Sequence, residues 1–588
     1  MTNTMSNPAQ ACWIDGGLAQ APIFCWYHAP ASVGLCRAAI VLCPPFAHDY
    51  MVSYQAMQSW ARQLAQAGYA VLHPDLQHAG DSADIAGLWQ ADEQLDLIAI
   101  WQENIRRAAA FVRQKSGMQR LILAGLRLGA SLAASVAASC QAQALILFAP
   151  VLQGRHYARE LLMLKNSNQT GATGITEAEL AGYYFGPALR KGLQQLNLLK
   201  LACPAPQIYL IPRDDLDGQE ADLISHWHDA CVVSLAFPGY AEMLREDAHS
   251  SRVPQDLWSQ ITTQLQHQFE LQAVMPAAMA CEQSWQHSDF HEHLLEWQGL
   301  QGVLCLPRQQ PAKAAIAELV VILNTGANHR VGTHRLSVFL ARQLAAAGHA
   351  VLRFDKAGLG YSRACLDGST LQVFNDETLE NIRITLDHFA KQFACQRFIL
   401  AGLCSGAYFA FQAACQDPRI TGVISMNQPT YHWQAGDSLE IRRNNAIKSS
   451  HHYRLALLQK TTWLRLLRGQ IDLRKIARQM AKRMLKRLRT QGQLLSLKIL
   501  NQPYFLSALA RQARALDARA CRLHLVLDAG DAGVDVMTEE FGRHAILLRF
   551  QSQATLTILP GADHTFTALW SQRELAELLK RLLSSAKS

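Results

Sequence analysis

Short, continuously apolar runs alternate along this chain with longer stretches in which apolar residues recur every three or four positions. The runs Ala39–Cys43, Ala70–His73, Leu121–Ala124 and Ala144–Phe148 predict buried strands, as do Leu319–Leu323, Ala350–Phe354, Phe398–Ala401 and Gly422–Met426. Amphipathic helical stretches such as Tyr54–Ala67 and His334–Ala347 lie between them. A strand that is apolar at every position is covered on both faces. Its regular interleaving with helices therefore predicts α/β architecture, with a mostly parallel sheet and helices on both sides. Met275–Gln298 has a weaker pattern and is expected to hold a junction and the opening strands of a second unit.

That second unit is a copy of the first. Ala61-Arg-Gln-Leu-Ala-Gln-Ala-Gly-Tyr-Ala-Val-Leu72 returns as Ala341-Arg-Gln-Leu-Ala-Ala-Ala-Gly-His-Ala-Val-Leu352, an offset of 280 positions that also carries Asp75, Gly80 and Ser82 onto Asp355, Gly360 and Ser362. Gly125-Leu-Arg-Leu-Gly-Ala130 matches Gly402-Leu-Cys-Ser-Gly-Ala407, and Phe148-Ala-Pro150 is aligned with Asn427-Gln-Pro429. A period this long is a duplicated domain rather than a solenoid unit. The expected division is residues 1–272 and 273–588, with a cap over about 432–518 in the second copy.

The second copy carries the chemistry. Phe398-Ile-Leu-Ala-Gly-Leu-Cys-Ser-Gly-Ala runs from an apolar strand through Gly402-Leu-Cys404-Ser405-Gly406 into a helix. This is the pattern of a nucleophile held on a sharp turn, with glycines where side chains would collide and a helix N-terminus beside the sulfur. An acid and a base follow in the order such a site requires. Asp528 and Asp531 lie at the end of the run from Arg522, with Asp531 preferred, and His564 lies at the end of the run from Leu556. A Cys–His–Asp set works because imidazole takes the thiol proton while the carboxylate fixes its tautomer. The oxyanion donors are expected at the Ser405 amide and in the loop Asn324–Arg335, at Gly326 or Ala327. His329, Arg330 and Arg335 make that loop's mouth basic and are the candidate substrate-binding side chains.

The first copy has the turn without the nucleophile. Arg127 stands in the place of Cys404, and aligning Phe237-Pro-Gly with Leu559-Pro-Gly puts Glu242 in the place of His564. The expectation is a degenerate site in which Arg127 and Glu242 meet as an ion pair. The alternatives are an anion-binding pocket on Arg127, or a relocated centre using His249. Asp214, Asp215 and Asp217 crowd its acid loop.

Composition limits what else the chain can be. With 49% hydrophobic and 17% charged residues it can bury large cores, so whole-chain disorder is excluded. Its longest apolar runs fall far short of the roughly 20 residues of a spanning helix, and the polar start, Met1–Ala11, has no export pattern. Fourteen scattered cysteines without a CxxC pair fit reduced thiols, and the expected location is cytoplasmic. No histidine cluster has metal-ligand spacing, and no cofactor is called for. Positive charge is local: Arg442–Arg489 holds fifteen Lys or Arg and one acid, Asp472, a net +14 against +8 for the whole chain. Apolar residues recur through it at helical spacing. An amphipathic cationic cap over a catalytic pocket would attract an anionic substrate or rest on an anionic membrane, and this explains its position better than nucleic-acid binding does.

Both halves thus resemble the α/β-hydrolase fold. The first, with Cys43-Pro-Pro-Phe46, Asp75–Ser82 and Gly125-Leu-Arg-Leu-Gly-Ala130, resembles the exosortase A system-associated hydrolase type 2 family. The second, with Arg330-Val-Gly-Thr-His-Arg335, Phe354-Asp-Lys-Ala-Gly-Leu-Gly360, Gly402-Leu-Cys404 and His452-Tyr-Arg…Trp463, resembles the type 1 family. It departs from that family at Ser405-Gly406, where an acidic residue is expected after the nucleophile, and its G-x-C-x-G also resembles dienelactone hydrolases and polyester synthases. These resemblances imply hydrolysis of an ester or thioester through an acyl-Cys404, linked to exopolysaccharide gene clusters. Acyl transfer to a glycan or lipid hydroxyl is the alternative with the same residues, and a non-catalytic binding protein of an export system is the alternative of a different class.

Overall fold

The computed structural model describes residues 9–18, 21–85, 88, 95–168, 179–215, 219–244, 248–366, 373–433, 508–542 and 553–584, with isolated positions 485, 488, 492, 545 and 548. Nearly all of the basic segment Arg442–Arg489 lies outside the described residues, as does Asp217 of the first copy's acid loop.

The first copy is built on an eight-stranded sheet in the spatial order Gln10–Leu18, Ala21–His28, Ala70–Pro74, Ala39–Cys43, Leu121–Leu126, Ala144–Phe148, Gln207–Ile211, Cys231–Ser234. Its opening strands pair antiparallel and the rest run parallel. The second copy repeats this plan over nine strands: Ser284–Gln286, Phe290–Trp297, Leu300–Pro307, Ala350–Asp355, Leu319–Ile322, Phe398–Leu403, Ile420–Met426, Arg522–Asp528, Ala554–Leu559. The central parallel strands are buried at every position, as their uninterrupted apolar sequence requires. In each sheet the chain order reverses beside the strand that leads into the glycine-flanked turn. Crevices at the carboxyl ends of strands open at such a switch point.

The structure corrects one alignment. Arg127 donates its backbone N–H to the Phe148 carbonyl at 2.8 Å and Cys404 donates to Met426 at 3.0 Å, so Phe148 corresponds to Met426 and Ala149 to Asn427. The extra residue before Pro429 displaced the match by one.

The two copies pack through equivalent loops, those following the strands Ala70–Pro74 and Ala350–Asp355. Tyr361 enters the first copy, stacks on Trp26 with ring centroids 3.9 Å apart, and meets His28 Nε2 at 3.1 Å and His73 Nδ1 at 3.3 Å. Its counterpart Asp81 enters the second copy and pairs with Arg330 at 2.7 Å and with Arg353, the counterpart of His73. Arg353 and Arg342 share Glu292, Arg330 also holds Asp355, and Arg335 and Arg342 hold Asp84. Four guanidinium groups thus meet four carboxylates. Placing each charge against an opposite one is what makes burial of Asp81, Arg330, Arg353 and Glu292 tolerable.

Candidate active site

Cys404 ends the strand Phe398–Leu403 and caps the helix Ser405–Gln416 with φ 56°, ψ −116°. For a non-glycine residue this conformation costs on the order of 1–3 kcal/mol and needs close-fitting surroundings. The flanking glycines provide them. A Cβ on Gly402 would lie 2.1 Å from the Gly406 carbonyl carbon, and one on Gly406 would lie 2.8 Å from the Asn324 carbonyl oxygen. Strand and helix can approach this closely only without side chains.

The structure brings Asp531 and His564 together. His564 Nδ1 is 2.6 Å from Asp531 Oδ2, while Asp531 Oδ1 accepts the Gly533 amide at 2.7 Å and caps the helix Ala532–Phe541. One carboxylate therefore has one oxygen fixed by the backbone and the other aimed at the imidazole. Burial alone would lower the His564 pKa, but hydrogen bonds with Asp531 and with Cys404, and the charges of both, raise it well above the usual imidazole value. Asp528 is turned inward. It accepts the Gly530 amide at 3.0 Å, and burial raises its carboxyl to about 6.

Asn427, which the sequence reading missed, ties this arrangement together. Its Nδ2 donates to the His564 carbonyl at 2.8 Å and its Oδ1 accepts the Asp528 amide at 2.7 Å. It sits fully buried at φ 43°. The available signal was its polarity against Ala149 in the first copy, which the displaced alignment hid.

Of the oxyanion candidates, the Gly326 amide is taken by Ser405 Oγ at 2.9 Å. The Ala327 and Ser405 amides have no acceptor among the described residues. Ser405 thus fills the position after the nucleophile with a hydroxyl that braces the oxyanion loop.

The open basic mouth requires correction. His329 stacks on Tyr54 of the first copy at 3.7 Å, and burial, with Arg330 beside it, lowers its pKa to about 3, so it is neutral. Arg330 is buried against Asp81 and Asp355, and Arg335 donates to the Gly80 carbonyl at 2.7 Å. All three serve the contact between copies, whose approach covers this loop.

In the first copy Arg127 has φ 54°, ψ −121°, the same turn as Cys404. Its expected partner is wrong. Arg127 pairs with Glu160 at 2.6 Å and with Asp49 at 3.4 Å, and Arg213 joins the cluster through Glu160 and Asp215. Glu242 lies half-buried on the short helix Tyr240–Met243 and forms no ion pair among the described residues, while Tyr240 faces the guanidinium at 6.0 Å. Asp214 accepts the Gly239 amide. With its cation answered by nearby carboxylates, Arg127 is not poised for a free anion.

Two family models match the chain. That of serine aminopeptidase S33 covers residues 36–173, and that of the alpha/beta hydrolase family covers residues 320–578. The chain is two α/β-hydrolase domains in tandem. Among solved structures, this tandem α/β-hydrolase is similar to a lidless α/β serine hydrolase from Xanthomonas campestris (16% identity, 51% of this chain and 96% of that one, TM-score 0.27). It is also similar to the thioesterase domain of the curacin biosynthetic pathway (15%, 44% and 100%, TM-score 0.30) and to Est1E from Butyrivibrio proteoclasticus (13%, 44% and 97%, TM-score 0.30). No curated protein matches the sequence. No helix among the described residues is long and apolar enough to cross a membrane.

Proposed function

We propose that the second domain hydrolyses carboxylic esters or thioesters through an acyl-enzyme on Cys404. The observation that carries this reading is the 2.6 Å contact of Asp531 with His564, an imidazole whose pKa is raised both by Asp531 and by Cys404 on its strained strand-to-helix turn. His564 takes the thiol proton, and the sulfur then attacks the acyl carbon as thiolate. The Ala327 and Ser405 amides receive the developing oxyanion, and His564 returns the proton to the leaving group. Water activated by the same imidazole then releases the acid. Asp531 holds the ring in the tautomer this requires. The reading places the enzyme in a reducing, cytoplasmic setting, in keeping with fourteen free cysteines. A link to exosortase-type exopolysaccharide clusters rests on the motif resemblances alone.

The test is turnover of a panel of esters and acyl-thioesters. Cys404→Ala and His564→Gln should each lose activity by about 10³-fold or more while remaining folded, as removal of one member of a catalytic unit does elsewhere. Wild-type turnover in Cys404→Ala would overturn the assignment.

A further inference from the structure

The domain without a nucleophile touches both loops that frame Cys404. On the oxyanion side, Tyr54 stacks on His329, Asp81 holds Arg330, Gly80 accepts from Arg335, and Met51 Sδ accepts the His334 amide at 3.3 Å. On the base side, the hairpin Glu179–Leu180 and Tyr183–Tyr184 reaches across. Buried Glu179 accepts the Leu569 amide at 2.7 Å, at the start of the helix Leu569–Ser584 that follows the His564 loop. The residue before that helix is Ala568, which has no side-chain acceptor, so the cap comes from a residue 390 positions away. At the hairpin tip Gly182 has φ +79°, and a Cβ there would lie 2.5 Å from the Thr567 carbonyl oxygen and 2.9 Å from His334 Cβ. The tip is thus wedged between the base loop and the oxyanion loop. Its position passes to His564 through a closed turn, because Asp563 accepts the Thr567 amide at 2.6 Å and Asn427 holds the His564 carbonyl.

We propose that the first domain is a built-in positioning subunit for the second domain's active site, with Glu179 and Gly182 as the positioning residues that set the His564 loop against Cys404. The inference rests on the Cys404–His564–Asp531 reading. It gives the first domain a role that needs no ligand and no chemistry of its own. The hairpin fixes where the base stands relative to the sulfur, and the ionic contact around Asp81 fixes where the oxyanion amides stand. Glu179 acts through the helix and loop, not on substrate.

The test requires no substrate. The rate of iodoacetamide alkylation at Cys404 is followed by peptide mass spectrometry across pH in the full chain, alongside the melting temperature. In the wild type, alkylation of Cys404 at neutral pH should be fast, because the imidazole beside the sulfur takes its proton. Glu179→Ala and Gly182→Ala should move the profile toward that of a free thiol and slow alkylation at neutral pH by about tenfold or more, the scale of effect expected when a catalytic group is misplaced by a fraction of an ångström. Glu179→Gln keeps the shape and an acceptor oxygen, and should shift the profile by less. Should Glu179→Ala fail to fold, the graded shift in Glu179→Gln and Gly182→Ala decides. A wild type with an ordinary thiol profile would remove the triad reading and this inference with it. A wild type with fast alkylation at neutral pH and folded variants that keep its profile unshifted would overturn the positioning role alone.

Discussion

Arg127 and Cys404 share one backbone conformation, within a few degrees in φ and ψ. The strained turn therefore belongs to the fold, and the nucleophile is an occupant of it. What distinguishes the two positions is the surrounding side chains. His564 has its pKa raised by Asp531 and Cys404 against the opposing effect of burial. Because the folded value is raised, the stability from this protonated ring is full below the unfolded value of about 6.5 and is lost as pH rises through the folded one. Asp531→Asn removes two of the raising causes, so the His564 ring resonance in an NMR titration should move to lower pH than in the wild type. An unchanged midpoint would contradict the contact. In the first domain, Arg127→Leu and Asp49→Leu should couple by roughly 0.5–3 kcal/mol in a double-mutant cycle, while Arg127→Leu and Glu242→Leu should be additive. Coupling with Glu242 in chemical unfolding would restore the discarded pairing. The order of Cys404, Asp531 and His564 at strand ends was legible in the sequence, because each ends an apolar run. Asn427 was not, since its role depends on a register that only the backbone hydrogen bonds reveal.

The loops after the strands Ala70–Pro74 and Ala350–Asp355 show the same limit at the level of elements. Their shared Asp-to-Ser pattern was visible, and in both copies a serine hydroxyl returns to the carbonyl of the aspartate, at 2.7 Å for Ser82 and 2.6 Å for Ser362. Invisible was the fact that the intervening residues, Asp81 and Tyr361, reach into the opposite copy. The same local pattern carries unlike side chains at those positions, and their partners lie some 250–335 residues away. Arg330 read as a substrate ligand because its partners, Asp81 of the first domain and Asp355 of its own, are distant in sequence and reach it only in the fold. Asp81→Asn leaves Arg330 and Arg353 buried with one carboxylate fewer, and should cost about 3–5 kcal/mol in urea unfolding. A loss below about 1 kcal/mol would mean that water enters this contact.

Across the whole molecule, aromatic and ionic halves of one pseudo-symmetric contact join two domains into a single packed unit. Four histidines at that contact are held neutral by burial: His28 and His329 near a pKa of about 3, and His73 and His334 near about 4. Lowered values mean that the unfolded chain binds the extra protons, so the stability these four neutral rings contribute is full above about pH 6.5 and falls as pH drops toward 4. Chemical unfolding measured between pH 7 and pH 4.5 should show this loss, and His329→Gln should lessen it. A flat response would mean that the contact opens without unfolding. The tandem architecture itself followed from the 280-residue repeat, while the way the copies face one another did not, since their complementarity appears only in the folded loops. The claim on which the functional account stands is a covalent acyl-Cys404. Intact-protein mass spectrometry after brief incubation with a panel of acyl-thioesters tests it most directly. The expected result is a single acyl increment that maps to the peptide containing Cys404 and is absent from Cys404→Ala. An increment that persists in Cys404→Ala, or none with any acyl donor, would contradict it.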